Sequence, residues 1–203
     1  MAGIETTERL RELIGTPNEL VRLKIHRQLN AAAREFIARA PMLLLATCGK
    51  EGEPQLSPKG DAPGFVQIED DRTLVIPERK GNKLAFSLEN ILNNPQVALI
   101  FLVPGTCETL RIEGRAQLDD DAALCQKFSA RGSPALLVTR VEIEAVYFHC
   151  AKAFLRAELW KPETWPDTIS VSFGKEIAQG GGLDNQQIDE FDAAVRSRYR
   201  TDL

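Results

Sequence analysis

The sequence is poor in the residues that most often build metal and redox sites: its 203 residues include only 4 cysteines, 2 histidines and 2 tryptophans. Cys48, Cys107, Cys125 and Cys150 are widely spaced and form no Cys-x-x-Cys pair. Free, buried thiols in a reducing compartment are therefore expected rather than a disulfide framework. His26 and His149 do not supply the paired ligands that zinc needs, so no metal is expected. No apolar run approaches the roughly 18 residues of a membrane-spanning helix. Residues 1–15 carry acids throughout and lack an apolar block, so no secretory leader is expected. Neither Gly-x-Gly-x-x-Gly nor a P-loop pattern occurs, which leaves Rossmann and P-loop nucleotide sites without support. There is no excess of positive charge either. At a net charge of -4 the chain has no general electrostatic attraction for nucleic acid or an anionic membrane. These absences imply a cytoplasmic protein whose partners are neither nucleic acid nor membrane.

What is present is ordinary globular material, 43% hydrophobic and 27% charged, in a length that suits one domain over residues 1–203 with helical additions. Thr16-Pro17-Asn18-Glu19 has the form of a capping box. Val21, Ile25, Leu29, Ala32 and Phe36 then recur at near-helical spacing, which predicts an N-terminal helix over 16–40. From Pro41 the pattern changes to short strands. These are Leu43 to Thr47, a Gly49–Gly52 hairpin turn, Gln55 to Ser57, Gly64 to Ile68, and Thr73 to Ile76 ended by Pro77. After a short helix around Leu84–Leu92 come Gln96 to Val103, Thr109 to Leu118 and Leu136 to Phe148, with a helix over Asp119–Ala130 between the last two. The carboxylates Asp119, Asp120 and Asp121 read as the favourable start of that helix rather than as a metal site. Residues 151–203 are expected as a helical extension, with Lys152–Trp160 helical, a flexible break at Gly180-Gly181-Gly182 and a last amphipathic helix over Asp184–Tyr199. Strands that follow strands through tight turns favour a mainly β fold, an antiparallel sheet closing into a barrel with helices around it.

Two segments carry candidate chemistry. Ser57-Pro58-Lys59-Gly60-Asp61 offers a hydroxyl, an ammonium and a glycine that lets a ligand approach the backbone; the same residues also suit a surface turn. Ile76-Pro77-Glu78-Arg79-Lys80-Gly81-Asn82-Lys83 sets three cations just before a helix, with Asn82 able to cap it. Cations beside a helix start make a phosphate site; a solvated basic loop is the alternative. Lys152 and Arg156 stand four apart on one helical face. His149 and Cys150 are chain neighbours at a strand end and would point to opposite faces, which argues against a Cys/His dyad.

In their order, LLLAT, SPKGDAPGF, TLVIP, ERKGNKLAFSLENILNNPQVALIFLVPG and ETLRIEGRAQL, these segments resemble the pyridoxamine 5′-phosphate oxidase-like FMN-binding split barrels. The branch they most resemble is that of probable FMN-dependent proteins of unknown substrate, and the likeness runs from about Glu19 to Trp160. It implies an antiparallel split barrel and a homodimer with FMN at its interface. Ser57, Pro58, Lys59 and Gly60 would line the flavin, Ile76 and Pro77 would present backbone to it, and Arg79, Lys80 and Asn82 would hold its phosphate. Thr109 stands where the oxidase has a glutamine touching FMN. Lys152, Arg156 and Trp160 are nearest to its C-terminal arginine and tryptophan. The oxidase's Arg-Leu-His substrate run is absent, so the resemblance implies an FMN-dependent oxidoreductase acting on an unidentified small molecule rather than that oxidase itself. The alternative is a flavin- or haem-binding module without turnover. If the chain is an enzyme, Lys59 is the candidate cation for the flavin's pyrimidine edge.

Overall fold

Alternation of buried and more exposed side chains runs through four of the longer strands, and it positions everything else. The computed structural model describes residues 3–201; residues 1, 2, 202 and 203 of the expected 1–203 domain lie outside the described residues. The seven strands are β1 (Met42–Cys48), β2 (Pro54–Gly60), β3 (Gln67–Ile68), β4 (Thr73–Glu78), β5 (Gln96–Leu102), β6 (Thr109–Asp119) and β7 (Leu137–His149). They form one sheet in the order β2-β1-β5-β6-β7-β4-β3, with every neighbouring pair antiparallel. Leu43 and Leu45, Leu99 and Phe101, and Leu110 and Ile112 point to the inner side and are fully buried or nearly so. Period-two burial of this kind fixes the register, because a slip of one residue would turn the whole set outward.

The sheet is an open, split barrel. Its ladder ends at β2 on one side and at β3 on the other, yet it curls until β2 and β4 meet. β7 bends through a register shift against β6 at Glu113/Gly114, and such bulges increase local twist. Gly114 is needed there, since a Cβ would lie 2.1 Å from the carbonyl oxygen of Glu142. The core is stoppered by α3 (Ala31–Arg39), which buries Ala33 and Ile37, and by α4 (Phe86–Asn93), which buries Ile91. α5 (Ala122–Lys127) covers a smaller cluster with Phe128, Val75 and Val138. Its cap is the Asp121 carboxylate, which accepts from the Leu124 amide, as the acidic run suggested.

The structure corrects several expected boundaries. The single helix over 16–40 is instead α1 (Thr7–Ile14), α2 (Glu19–Arg22) and α3. Asn18, not Thr16, caps α2, and Asn30 caps α3. Between them the backbone is taken by the sheet: His26 bridges Val146, and the Leu29 amide donates to the Asp71 carbonyl. β4 does not end at Pro77 but runs through it to Glu78. The Glu78 carbonyl accepts from Leu136, so the Pro77 backbone faces the opposite edge, where β3 has already ended. A missing N–H costs little at such a place. β2 likewise continues through Pro58 to Gly60, so the Ser57–Gly60 segment is strand rather than turn. The helix expected over Lys152–Trp160 stops early, as α6 (Lys152–Arg156). The Gly180-Gly181 break is the end of α7 (Phe173–Gly181), which stops at Gly182 with φ +69°. α7 packs on α8 (Asn185–Thr201) so closely that a Cβ on Gly174 would lie 2.7 Å from the Ile188 carbonyl. No helix among the described residues is long and apolar enough to cross a membrane.

Gly114→Ala is expected to destabilise the fold by about 1–3 kcal/mol or more, because the clash is with backbone that cannot rotate away; a urea denaturation midpoint unchanged from wild type would contradict the strand crossing described here.

Candidate functional site

Where β2 and β4 approach without a ladder, side chains meet instead. Lys59 pairs with Leu43 across β2 and β1, and Leu43 is fully buried, so Lys59 is an inward-facing residue. Glu78 follows Leu74 and Ile76 at period two on β4 and faces the same interior. Lys59 Nζ donates to Glu78 Oε2 at 2.5 Å, and the other carboxylate oxygen accepts from the Thr139 hydroxyl at 2.9 Å. The two side chains are only 14% and 7% exposed. Just past the ends of the two strands, Arg79 Nε donates to Asp61 Oδ2 at 3.0 Å, and Nη1 donates to the Phe128 carbonyl at 2.7 Å. Two ion pairs thus span the seam.

Above them lies a cavity of about 530 Å³, walled by residues 55–60, 77–88 and Leu136. The floor carries Ser57, Lys59 and Glu78. One end carries Arg79, Lys80 and Lys83, followed by the start of α4. The lining also has an apolar part: Leu56, Leu84, Phe86 and Leu136 are all more than half exposed. α4 begins in an unusual way. Its N-cap is Ala85 at φ +52°, with Lys83 at φ +66° just before it, and it has no side-chain cap, unlike α1, α2, α3, α5 and α7. Among the described residues the amides of Phe86 and Ser87 have no acceptor. Non-glycine residues in the left-handed region cost of order 1–3 kcal/mol each and cluster at binding loops.

The cavity brings together Ser57, Pro58, Lys59, Gly60, Pro77, Arg79, Lys80 and Asn82 of the expected site residues. It leaves four out. Ile76 is fully buried in the core. Thr109 is buried at the start of β6 opposite His149, and Lys152 and Arg156 lie exposed on α6. Three expectations change in detail. Lys59 is not a lone cation but half of a buried pair. Arg79 already spends two of its five N–H donors inside the chain. Asn82 does not cap α4; its side chain accepts from the Leu84 amide inside the loop. Asp61, Glu78 and Thr139 were missed as site residues. For Glu78 a signal existed, since a carboxylate sat at the inward position of an otherwise apolar strand.

His149 does not line the cavity. Burial, then the positive charges of Arg111 and Lys24, hold its pKa below the usual 6.5, so its neutral form is favoured in the fold. Among the described residues no group of three or more His, Cys, Asp or Glu side chains could hold a metal ion.

The family model for pyridoxamine 5′-phosphate oxidase matches residues 29–150, the stretch that holds both strands of the seam. No curated protein matches the chain. Among solved structures, HupZ of Group A Streptococcus is 18% identical, with a TM-score of 0.49 over 59% of this chain and 93% of that one. A candidate pyridoxamine 5′-phosphate oxidase from Lactobacillus delbrueckii is 25% identical, with a TM-score of 0.47 over 60% and 95%. An FMN-binding protein from Syntrophomonas wolfei is 11% identical, with a TM-score of 0.45 over 70% and 96%.

A neutral, half-buried His149 stabilises the fold fully above pH 6.5 and progressively less as pH falls from there through its lower folded pKa. Thermal unfolding at pH 7.5 and 5.5 should therefore show a larger acid loss for wild type than for His149→Gln; equal losses would contradict it.

Proposed function

This chain belongs to the pyridoxamine 5′-phosphate oxidase family, and we propose that it is a flavin-binding protein, with FMN as the cofactor, acting as an oxidoreductase on a small organic molecule. The observation that carries this reading is the division of the cavity lining between clustered cations and exposed apolar side chains. A flavin mononucleotide has the same division, a dianionic phosphate and a flat ring system.

The residues present fit such a group. Lys80, Lys83 and the spare N–H donors of Arg79 would hold the phosphate. The uncapped amides at the start of α4, with the positive end of the helix dipole, favour an anion at the same end. Leu56, Leu84, Phe86 and Leu136 would cover the ring, removing from water apolar surface that the chain alone leaves exposed. Ser57 and Lys59 offer donors to the polar edge of the ring from the floor. The flavin, when bound, supplies the electron transfer; this chain binds it, orients it and sets the field around it. The cavity lining contains no His, Cys, Met or Tyr, so it offers none of the usual axial ligands of haem. Flavin is favoured over the haem alternative on that ground. With no paired nucleophile and base in the cleft, the redox chemistry falls to the cofactor rather than to a side chain.

The working unit is a homodimer in this proposal. Strand alternation turns Met42, Leu44 and Ala46 of β1 outward opposite Leu102, Ile100 and Ala98 of β5, and Leu56 continues the same face on β2. That is a contiguous apolar face on the side of the sheet away from the core. A second copy packed there would lie beside the rim of the cavity and shield it from water.

Titration with FMN, followed by flavin fluorescence and by absorption near ~370 and ~450 nm, is expected to give saturable binding that weakens about tenfold or more in Arg79→Ala, the loss of one charge-assisted contact worth roughly 1.5–3 kcal/mol. Wild-type protein that ignores FMN would overturn the proposal. Light scattering is expected to report a dimer for the wild type and a smaller species for Met42→Glu, which sets a charge on the outward face; a wild-type monomer at micromolar concentration would contradict the dimer.

A further inference from the structure

Glu78 is the one charge inside the cleft that ligand binding does not explain: an anion at a site expected to hold an anionic cofactor. A buried ion pair is a poor stabilising device, since replacing it with apolar residues is often neutral or favourable. Geometry also separates this pair from an incidental one. The Glu78 carboxylate has both oxygens engaged, Oε2 by Lys59 and Oε1 by Thr139, and Thr139 is fully buried on the neighbouring strand β7. Its position is thus set from two strands. Lys59 has three N–H donors, and only one of them is used by Glu78.

We propose that Glu78, fixed by Thr139, is a positioning residue that aims the Lys59 ammonium at the polar edge of the bound flavin and partly neutralises it, setting the reduction potential of the cofactor. This rests on the flavin reading above and goes beyond it, because it gives the carboxylate a role opposite in sign to that of the lysine. Two-electron reduction with uptake of a single proton would leave the ring system with one more negative charge than the oxidised form. A free cation beside that edge would favour the reduced state, and a cation shared with a carboxylate favours it less. Lys59 and Glu78 are themselves only 14% and 7% exposed, so solvent screens this difference less than it would between surface charges.

The test measures the midpoint potential of the FMN-loaded protein by titration against reference dyes, after wild-type FMN binding has been established. Glu78→Gln, which leaves Lys59 charged and unshared, is expected to raise the potential by about 30 mV, equivalent to a tenfold change in relative affinity for the two redox states in a two-electron couple. Lys59→Met is expected to lower it. Thr139→Val, close in shape, removes the donor from Oε1, leaves more of that negative charge to Lys59, and is expected to lower it modestly. Opposite shifts in Glu78→Gln and Lys59→Met are what a merely structural pair would not produce. Folded, FMN-loaded variants with wild-type potentials, or a fall in Glu78→Gln, would overturn the inference while leaving flavin binding intact. If Glu78→Gln does not fold, an unshifted potential in Thr139→Val overturns it. Wild-type protein that binds no FMN removes the inference together with the reading it rests on.

Discussion

Along the seam between β2 and β4 the barrel is held by charge rather than by a backbone ladder. Elsewhere each strand of the sheet has its neighbours' amides and carbonyls; here Lys59 meets Glu78 and Arg79 meets Asp61. A ladder would have zipped the barrel shut and left no room. Ion pairs hold the edges at side-chain distance, and the gap they leave is the cavity. Their partners are largely removed from water, so losing one member of a pair would strand a buried charge. Ion pairs such as Arg9 with Glu12 or Arg39 with Glu35 are exposed on both sides and contribute little.

The rest of the site follows from that constraint. β4 can carry Pro77 because its outer edge is free once β3 has ended, and Pro77 in turn keeps another strand from pairing there. The chain then leaves β4 through Arg79 and Lys80, turns through the left-handed Lys83 and Ala85, and enters α4 without a side-chain cap. Cations, strained loop and open helix start are therefore delivered to one end of the seam by a single stretch of sequence. The exposed apolar side chains come partly from the same stretch, Leu84 and Phe86 from the loop and α4, and partly from elsewhere, Leu56 from β2 and Leu136 from the approach to β7. An anion arriving at Arg79 finds a guanidinium already oriented by Asp61 and the Phe128 carbonyl, so little side-chain entropy remains to be lost on binding.

Much of this was legible in the sequence, and the exceptions have physical causes. β6 could be read from its alternation of apolar and polar residues, and β1, β5 and β7 from runs rich in apolar, β-branched and aromatic residues. The N-terminal helix was overread: Val21 and Ile25 fit a helical stripe, yet both are about half exposed, and the sheet claims the backbone at His26 and Leu29 instead. α7 was missed because Gly180 and Gly181 look like a break, although the helix ends only at Gly182. The cation-rich segments were visible as composition, and most of their residues do line one cleft. The pairing of Lys59 with Glu78 and of Arg79 with Asp61 was not visible, because those contacts depend on how far the sheet curls. Lys152 and Arg156 could not be placed from sequence, since α6 carries too few residues to reveal which way it faces.

The most direct test of the account is a crystal structure of the protein grown with saturating FMN. The account predicts the flavin in the seam between β2 and β4, its phosphate against Lys80 and the start of α4, and Lys59 within hydrogen-bonding distance of the ring. A flavin bound elsewhere on the chain, or a seam left empty at saturating FMN, would contradict it.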